Sequence, residues 1–374
     1  MKVPASERRA APRDRTGWDR AVRAWLFAVA GLVFLMIVLG GATRLTDSGL
    51  SITEWQPILG AIPPLSEADW QSAFASYKQI PEFELVNKGM SLEAFKFIYW
   101  WEWTHRFLGR LIGAAFALPL LLFWMARALR PGMGIKLLGV LALGALQGGI
   151  GWLMVKSGLV DRVDVSPYRL ALHLAVAFLI LGLVLWLAFG LAQRPRVTHP
   201  AAVSPRQRRL AGVILALIFV QVVLGALVAG LKAGLAYNTW PLMDGALVPD
   251  GLAALEPWYL NVFENAATVQ FNHRLMAYLV TGLALWQAWD LRRAGGAGPL
   301  SASASLLAAA VLCQVALGIW TLLAAVPLWL GLAHQAGAAA VFALAVRHAG
   351  LAARRPALVD ERCAPSQASE CPGI

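Results

Sequence analysis

Long apolar stretches separated by shorter polar segments run along the whole chain. Eight of them reach roughly 20 residues, long enough to cross about 30 Å of hydrocarbon as a helix, and they lie at about 22–43, 98–126, 134–155, 169–192, 208–231, 267–290, 303–325 and 329–349. Of the 374 residues, 59% are hydrophobic and only 14% are charged, which is outside the range of soluble domains. The pattern predicts an all-α polytopic membrane protein with eight transmembrane helices and both chain ends on one side.

The net charge of +11 is confined to alternate loops, which argues against a nucleic-acid partner. Basic residues crowd the first 23 positions and then recur at Arg127, Arg130, Lys136, Arg194, Arg196, Arg206, Arg208, Arg209, Arg292, Arg293, Arg347, Arg354 and Arg355. Acidic residues collect in the loops between them, at Glu67, Asp69, Glu82, Glu84, Glu93, Asp244, Asp250, Glu256 and Glu264. By the positive-inside rule, the charges predict a bacterial inner-membrane protein with both termini cytoplasmic.

The second half of the chain contains an altered repeat of the sequence of the first half. Six residues recur at a constant offset of 185, with Gly40, Gly49, Leu50, Trp55, Gly60 and Ala61 matching Gly225, Gly234, Leu235, Trp240, Gly245 and Ala246. The correspondence continues from His105-Arg106 to His273-Arg274, from Gln147 and Gly151 to Gln314 and Gly318, and from His173 to His334. These matches predict two tandem four-helix bundles related by a pseudo-two-fold axis along the membrane normal.

The predicted units cover residues 22–193 and 208–350, and a cytoplasmic linker, 194–207, joins them. A basic cytoplasmic arm, 1–21, precedes the first unit, and a tail expected to be disordered, 351–374, follows the second. The outer loop at 44–97 is too long to be a simple connection. Within it, Ser66 and the helical spacing of Trp70, Phe74 and Tyr77 predict a capped interfacial helix.

Four of the six histidines lie at matched depth near the outward ends of even-numbered predicted helices. They are His105 and His173 in the first unit and His273 and His334 in the second. Two per unit in an apolar bundle is the arrangement that two bis-histidine haem sites need, whereas a zinc site lacks further ligands at this depth and a proton relay stays open. For His199 and His348 we expect an ordinary solvated or headgroup-level position.

A carboxylate distinguishes the first unit from the second. Glu102 precedes His105 by one helical turn, and the matching residue in the second unit is Gln270. A side chain needed only for shape could be an amide in both units, whereas proton transfer or stabilisation of positive charge needs the acid. The alternative is an interface carboxylate paired with a nearby arginine. Arg106 and Arg274 suit haem propionates, although snorkelling to the interface is an equal explanation.

Two segments carry a family resemblance. Residues 43–55 (TRLTDSGLSITEW) and 93–106 (EAFKFIYWWEWTHR) closely resemble the haem A synthase family in its alphaproteobacterial and mitochondrial form, and the resemblance extends over about 22–350. Some bacterial members have a cysteine pair in the outer loops. This chain has none there, since Cys313 lies in an apolar run and Cys363 and Cys371 lie in the tail, so a thiol-based step is not available.

The resemblance implies an oxidoreductase that converts haem O to haem A for cytochrome c oxidase by oxidising a porphyrin methyl group to a formyl group. It further implies that His105 and His173 ligate the substrate haem on the periplasmic side, that His273 and His334 ligate a haem b cofactor, and that Glu102 is the functional carboxylate. Implied partners are a haem O synthase, an electron donor and membrane lipid, and a homo-oligomer is left open.

Two other functional classes compete with this interpretation. A di-haem b-type membrane cytochrome that only transfers electrons would retain both haems and would not need the difference between Glu102 and Gln270. A transporter built from parallel repeats would have helices interrupted by Gly or Pro near the middle of the bilayer. The prolines instead collect in loops, Pro119 being an exception, which disfavours a transporter.

Overall fold

The structure, a computed structural model, describes residues 16–56, 59–161, 163–192, 203–295 and 298–354. In these ranges the chain forms eleven α-helices, and the only β pairing is an isolated bridge between Met243 and Ala246. The helices are α1 (Thr16–Leu45), α2 (Glu67–Tyr77), α3 (Pro81–Leu85), α4 (Leu92–Met125), α5 (Met133–Asp161), α6 (Pro167–Gly190), α7 (Pro205–Gly230), α8 (Asn261–Glu264), α9 (Ala266–Arg293), α10 (Pro299–Leu323) and α11 (Leu328–Ala352).

Seven of the described helices, α1, α4, α5, α6, α7, α10 and α11, are long and apolar enough to cross a membrane. The prediction of an all-α polytopic membrane protein is confirmed. The remaining predicted span corresponds to α9, which has 28 residues but carries polar side chains near both ends, among them His273, Arg274, Asp290 and Arg292. The count of eight spans and the pseudo-two-fold axis stay predictions, with which the packing below is compatible.

Every predicted apolar run coincides with a helix, although two helices begin well before the run. Helix α1 is already helical at Thr16, the first described residue, which lies inside the predicted arm, and an ion pair between Asp19 and Arg130 at 2.7 Å holds this part of the helix. Helix α4 starts at Leu92, where the Ser91 Oγ accepts a hydrogen bond from the Ala94 amide. Hydropathy detects only the part of a helix in hydrocarbon, whereas caps and ion pairs extend it into the headgroup region.

The core lies between four central helices, two from each repeat. Helix α1 packs against α6 and α11, and α7 packs against the same two. Their contacting faces are lined by small and branched apolar side chains, including Val33, Ile37, Leu181, Ile218 and Ala345. Helices α4 and α5 flank this centre in the first repeat, and α9 and α10 flank it in the second. Each histidine-bearing pair, α4 with α6 and α9 with α11, therefore belongs to one repeat.

The long outer loop folds over the outward end of α4. Its predicted capped helix is confirmed as α2, where Ser66 and Asp69 form a reciprocal capping box. Phe74, Tyr77 and Phe95 pack their rings together at centroid distances of 5.0–5.2 Å and are almost fully buried. This aromatic cluster fixes the loop against the start of the helix that carries Glu102.

Beneath this loop lies Glu82, a carboxyl group that is 4% exposed. The Tyr77 hydroxyl donates to it at 3.3 Å, and the Asn87 amide donates to that hydroxyl at 2.7 Å. Burial raises the pKa of Glu82 to about 8 from its ordinary value of 4.5. The closed loop therefore retains a proton that an opened loop releases.

We expect the α2–α3 segment to open more readily as the pH rises. Between about pH 4.5 and pH 8, the closed form binds the extra proton, so its free energy of opening falls by ~1.4 kcal/mol per pH unit. The closed loop is at its most stable below that window. Hydrogen–deuterium exchange of residues 67–85, corrected for intrinsic exchange, measures the effect, and Glu82→Gln should remove it. Equal pH dependence in both proteins would contradict this assignment.

Candidate functional site

Each of the four predicted histidines lies with its ring against a glycine of a neighbouring helix. His105 contacts Gly40, His173 contacts Gly151, His273 contacts Gly225 and His334 contacts Gly318. A Cβ at those glycines would lie 2.9, 3.0, 3.1 and 2.7 Å from the Cε1 atom of the ring. Real Cβ atoms are essentially never as close to another atom as the values at Gly40 and Gly318, and the other two values are tighter than most real contacts, so glycine is what lets these helices accommodate an imidazole between them.

The structure places the members of each predicted pair on helices that share the same neighbours. The helices that carry His105 and His173 both pack against α1 and α5, and those that carry His273 and His334 both pack against α7 and α10. The first pair is on α4 and α6, and the second is on α9 and α11. Each repeat therefore has one pair of partly buried imidazoles, a residue type that serves well as an axial ligand of haem iron.

Three glutamines hold three of these histidines. The side-chain amides of Gln147, Gln221 and Gln314 donate to the backbone carbonyls of His173, His273 and His334 at 2.9, 3.1 and 2.7 Å. Sequence comparison paired Gln147 with Gln314 but gave neither a role, and it missed Gln221. The signal was present, since each glutamine lies four residues before the glycine that its histidine contacts.

Glu102 is 2% exposed and has four hydrogen-bond donors. Its Oε2 accepts from the Ser51 hydroxyl at 2.7 Å and from the Ile52 amide at 2.8 Å. Its Oε1 accepts from the Nε and Nη2 of Arg106, one turn further along α4. The pairing with an arginine that sequence analysis kept as the alternative is thus present. It compensates the burial of the charge and fixes the carboxylate beside His105.

The second repeat preserves this framework without the charge. The Gln270 Oε1 accepts from Arg274 at 2.9 Å, and its amide donates to the Ala233 carbonyl at 2.7 Å. The position that corresponds to Ser51 at the offset of 185 is Ala236, so the hydroxyl donor is missing as well. The serine and the glutamate are replaced together, and sequence analysis missed the serine.

Arg106 and Arg274 attach the outer loop of each repeat to its histidine helix. Arg106 donates to the carbonyls of Ile52 and Glu54 at 2.8 and 3.2 Å, and Arg274 donates to the Tyr237 carbonyl at 3.1 Å. Ile52 and Tyr237 are themselves related by the offset of 185. The Arg274 Nε is buried with no hydrogen-bond partner among the described residues, whereas both Nη atoms and the Nε of Arg106 are engaged.

A cavity of about 210 Å³ opens beside Arg106, between the outer loop and α5. Trp55 and Trp152 form part of its wall with their ring centroids 6.0 Å apart, and the ammonium group of Lys156 lies over the Trp152 ring. Glu54 also lines this cavity, so Arg106 and Lys156 face it together with one carboxylate.

The expectation for His348 was wrong. Its side chain is fully buried, and its Nε2 lies 3.1 Å from the amide nitrogen of Gln287, which also donates to the Gln207 carbonyl. The reason is its position on α11, since it follows the buried Val341 and Ala345 at helical spacing and so faces the bundle. His199 lies outside the described residues.

Comparison with known proteins gives consistent matches along most of the chain. A family model described as cytochrome oxidase assembly protein matches residues 23–346, which include all four paired histidines and Glu102. The heme A synthase of Mesorhizobium japonicum is 54% identical over 337 residues, covering 90% of this chain and 92% of that protein.

Two further relatives show the same extent of similarity. The heme A synthase of Parvibaculum lavamentivorans is 52% identical over 88% of this chain and 93% of its own length. That of a Chelativorans species is 56% identical over 87% of this chain and 90% of its own length. The similarity covers both repeats together.

Proposed function

The chain belongs to the cytochrome oxidase assembly protein family, and on that premise we propose that it converts haem O to haem A. The reaction oxidises one porphyrin methyl group to a formyl group. One observation supports it beyond the similarity to heme A synthases. A buried, ion-paired carboxylate lies one turn from a paired histidine in the first repeat, and an amide replaces it in the second.

The described residues fit haem as the bound group. The paired imidazoles lie between apolar helices, each facing a glycine whose missing Cβ makes room for the ring itself. The Nδ1 atoms of His105 and His173 are buried and have no hydrogen-bond partner among the described residues, and buried polar atoms in proteins are normally paired with a hydrogen-bond partner or a ligand. Haem, when bound, supplies a redox-active iron that neutral imidazoles ligate well.

We assign His273 and His334 as axial ligands of a resident haem b, and His105 and His173 as ligands of the substrate haem. The position of the Glu102 carboxylate decides which pair binds the substrate. Oxidation of a carbon needs a group that takes up protons or balances developing positive charge, and a buried carboxylate does both better than an amide. Glu102 lies beside the first pair, and Gln270 lies beside the second.

Glu102 acts in this proposal as the residue that accepts protons or balances charge at the reacting carbon. Ser51, Ile52 and Arg106 hold its two oxygens, so it needs little reorganisation when charge develops. The outer loop that supplies two of these donors also covers the site, since Ser51 is 2% exposed. The loop thereby positions the acid and excludes water from it.

The two arginines differ as partners for haem propionates. The buried Nε of Arg274 has no hydrogen-bond partner among the described residues, so we propose that it contacts a propionate of haem b. Arg106 already serves Glu102 and two loop carbonyls. A propionate contact there would replace one of the carbonyl bonds, and the adjoining cavity with Lys156 offers a second cation.

The same proposal sets the protein in the membrane. The charge pattern supports a bacterial inner-membrane protein with cytoplasmic termini, units at 22–193 and 208–350, and the histidine pairs towards the periplasm. The central packing of α1, α6, α7 and α11 supports a pseudo-two-fold relation between the units. The reaction requires an electron acceptor or donor system and a haem O synthase as partners, within membrane lipid.

Pigment analysis of the purified full-length protein tests the function. The protein is expressed with and without a haem O source, and its haems are extracted and separated. We expect haem B in both preparations, and haem A or its hydroxylated precursor only when haem O is supplied. Haem B alone at both sites, whatever haem is supplied, would indicate a di-haem electron-transfer cytochrome and would exclude the synthase proposal.

A further inference from the structure

The four paired histidines are held to different degrees by their neighbouring helices. In the second repeat, Gln221 and Gln314 donate to the backbone carbonyls of both histidines, and their side chains also lie against the rings. The Gln221 amide nitrogen lies 3.2 Å from both ring nitrogens of His273, and that of Gln314 lies 3.1 Å from the His334 Nδ1. In the first repeat, Gln147 holds only the carbonyl of His173.

His105 has neither contact among the described residues, and the reason is a single side chain. Each clamping glutamine lies four residues before the glycine that its histidine faces, and the residue four before Gly40 is Met36. Met36 occupies the equivalent place, since its methyl group would lie 3.5 Å from a Cβ at Gly109, one turn beyond His105. A thioether cannot donate a hydrogen bond to the His105 carbonyl.

We infer that this difference sorts the ligands by mobility: His273 and His334, both clamped, hold a resident haem, and His105, which faces Met36 where the other three histidines have a glutamine, is the displaceable ligand through which the substrate haem is exchanged. The inference rests on the proposed function, in which one haem stays and the other leaves after each oxidation. A metal-bound histidine whose other contacts are fixed is a better ligand because its orientation needs no ordering on binding. His105, which no glutamine clamps among the described residues, must be ordered when it binds haem. It therefore binds haem more weakly and releases it faster.

Met36→Gln is the direct test, because methionine and glutamine have similar length and volume. We expect haem transfer from the first site to excess apomyoglobin to slow by about tenfold, the effect of one hydrogen bond. Haem A should accumulate on the purified protein. The low-spin electron paramagnetic resonance signal and the reduction potential of the first-site haem should shift, whereas those of haem b should not. Met36→Leu, which adds no donor, is the matched control and should keep the wild-type transfer rate.

Gln221→Met is the reciprocal test in the second repeat. We expect haem b to leave this variant about tenfold faster than it leaves the wild type. Wild-type transfer rates in both Met36→Gln and Gln221→Met would overturn the inference. If the wild type instead binds only haem B at both sites, the proposed function fails. Even then, the rates at which Met36→Gln and Gln221→Met release haem B still test whether the glutamine contact slows haem release.

Discussion

Glu102→Gln is expected to reduce haem A formation by about 100-fold or more, within the range that loss of an acid–base group produces, while haem b stays bound. The variant gives the first repeat the side chain that the second repeat has at Gln270. Substrate haem O should still bind, because both histidines of the first pair are intact. Haem O should therefore accumulate on the protein in place of haem A.

The variant should fold, because the second repeat already shows how an amide fits. Gln270 accepts from Arg274 at 2.9 Å, and the new amide oxygen can accept from Arg106 in the same way. The cost is local, since the Ile52 amide at 2.8 Å loses its acceptor, worth about 1–3 kcal/mol for a buried group. The site thus loses its charge while keeping its shape.

The measurement is separation of the extracted haems from wild type, Glu102→Gln and Gln270→Glu, each expressed with a haem O source. Gln270→Glu is the reverse substitution at the matching position of the second repeat, where it replaces the amide by a carboxylate. Since it lies in the second repeat, it should leave haem A formation within about threefold of wild type. Near-normal haem A in Glu102→Gln would show that the carboxylate has only a structural role with Arg106.

The second large effect is a difference in haem content between variants of the two histidine pairs. His273→Ala should lose haem b and, with it, haem A formation, whereas His105→Ala should keep haem b and lose oxidation alone. The expected drop in haem b affinity exceeds the roughly 10–100-fold effect of losing a hydrogen-bond partner of a metal ligand. The reason is that alanine removes the ligand atom itself from a buried apolar site.

Optical spectra and haem B content of the purified variants measure this directly. The second histidine of each pair is tested in the same way. His173→Ala should keep haem b and lose oxidation, as His105→Ala does. His334→Ala should lose haem b, as His273→Ala does. Loss of equal amounts of haem B from all four variants would contradict a division into one resident and one substrate haem. It would favour an electron-transfer cytochrome with two equivalent haems.

The positions of the helices and of the paired histidines follow from sequence alone. Spans of about 20 apolar residues have no stable alternative to helix in hydrocarbon, because every backbone polar group must be bonded internally. The internal repeat, whose offset is 185 over residues 40–61 and 168 at the histidine helix, then relates His105 to His273 without any coordinates. The same comparison exposes the exchange of Glu102 for Gln270.

The helical conformation of residues 16–21, before the apolar run of α1, and the burial of His348 needed the structure. In the first case, an ion pair between Asp19 and Arg130, distant in sequence, extends the helix beyond its apolar part. In the second, a polar residue near a helix end faces the bundle, and its partner Gln287 comes from another helix. Neither partner is implied by local pattern.

The sequence by itself indicated the fold class, the internal repeat, the four paired histidines and the Glu102 carboxylate that only the first repeat has. Hydrophobic length and internal repetition can be read directly from the linear sequence. Tertiary structure alone decided that Ser51 and Arg106 hold Glu102, that glycines receive the imidazoles, and that Met36 stands where three glutamines clamp the other histidines. These contacts join residues from different helices, and their distances depend on how the helices pack. A spacing along one helix restricts a face of that helix, but it does not say which side chain of another helix meets it.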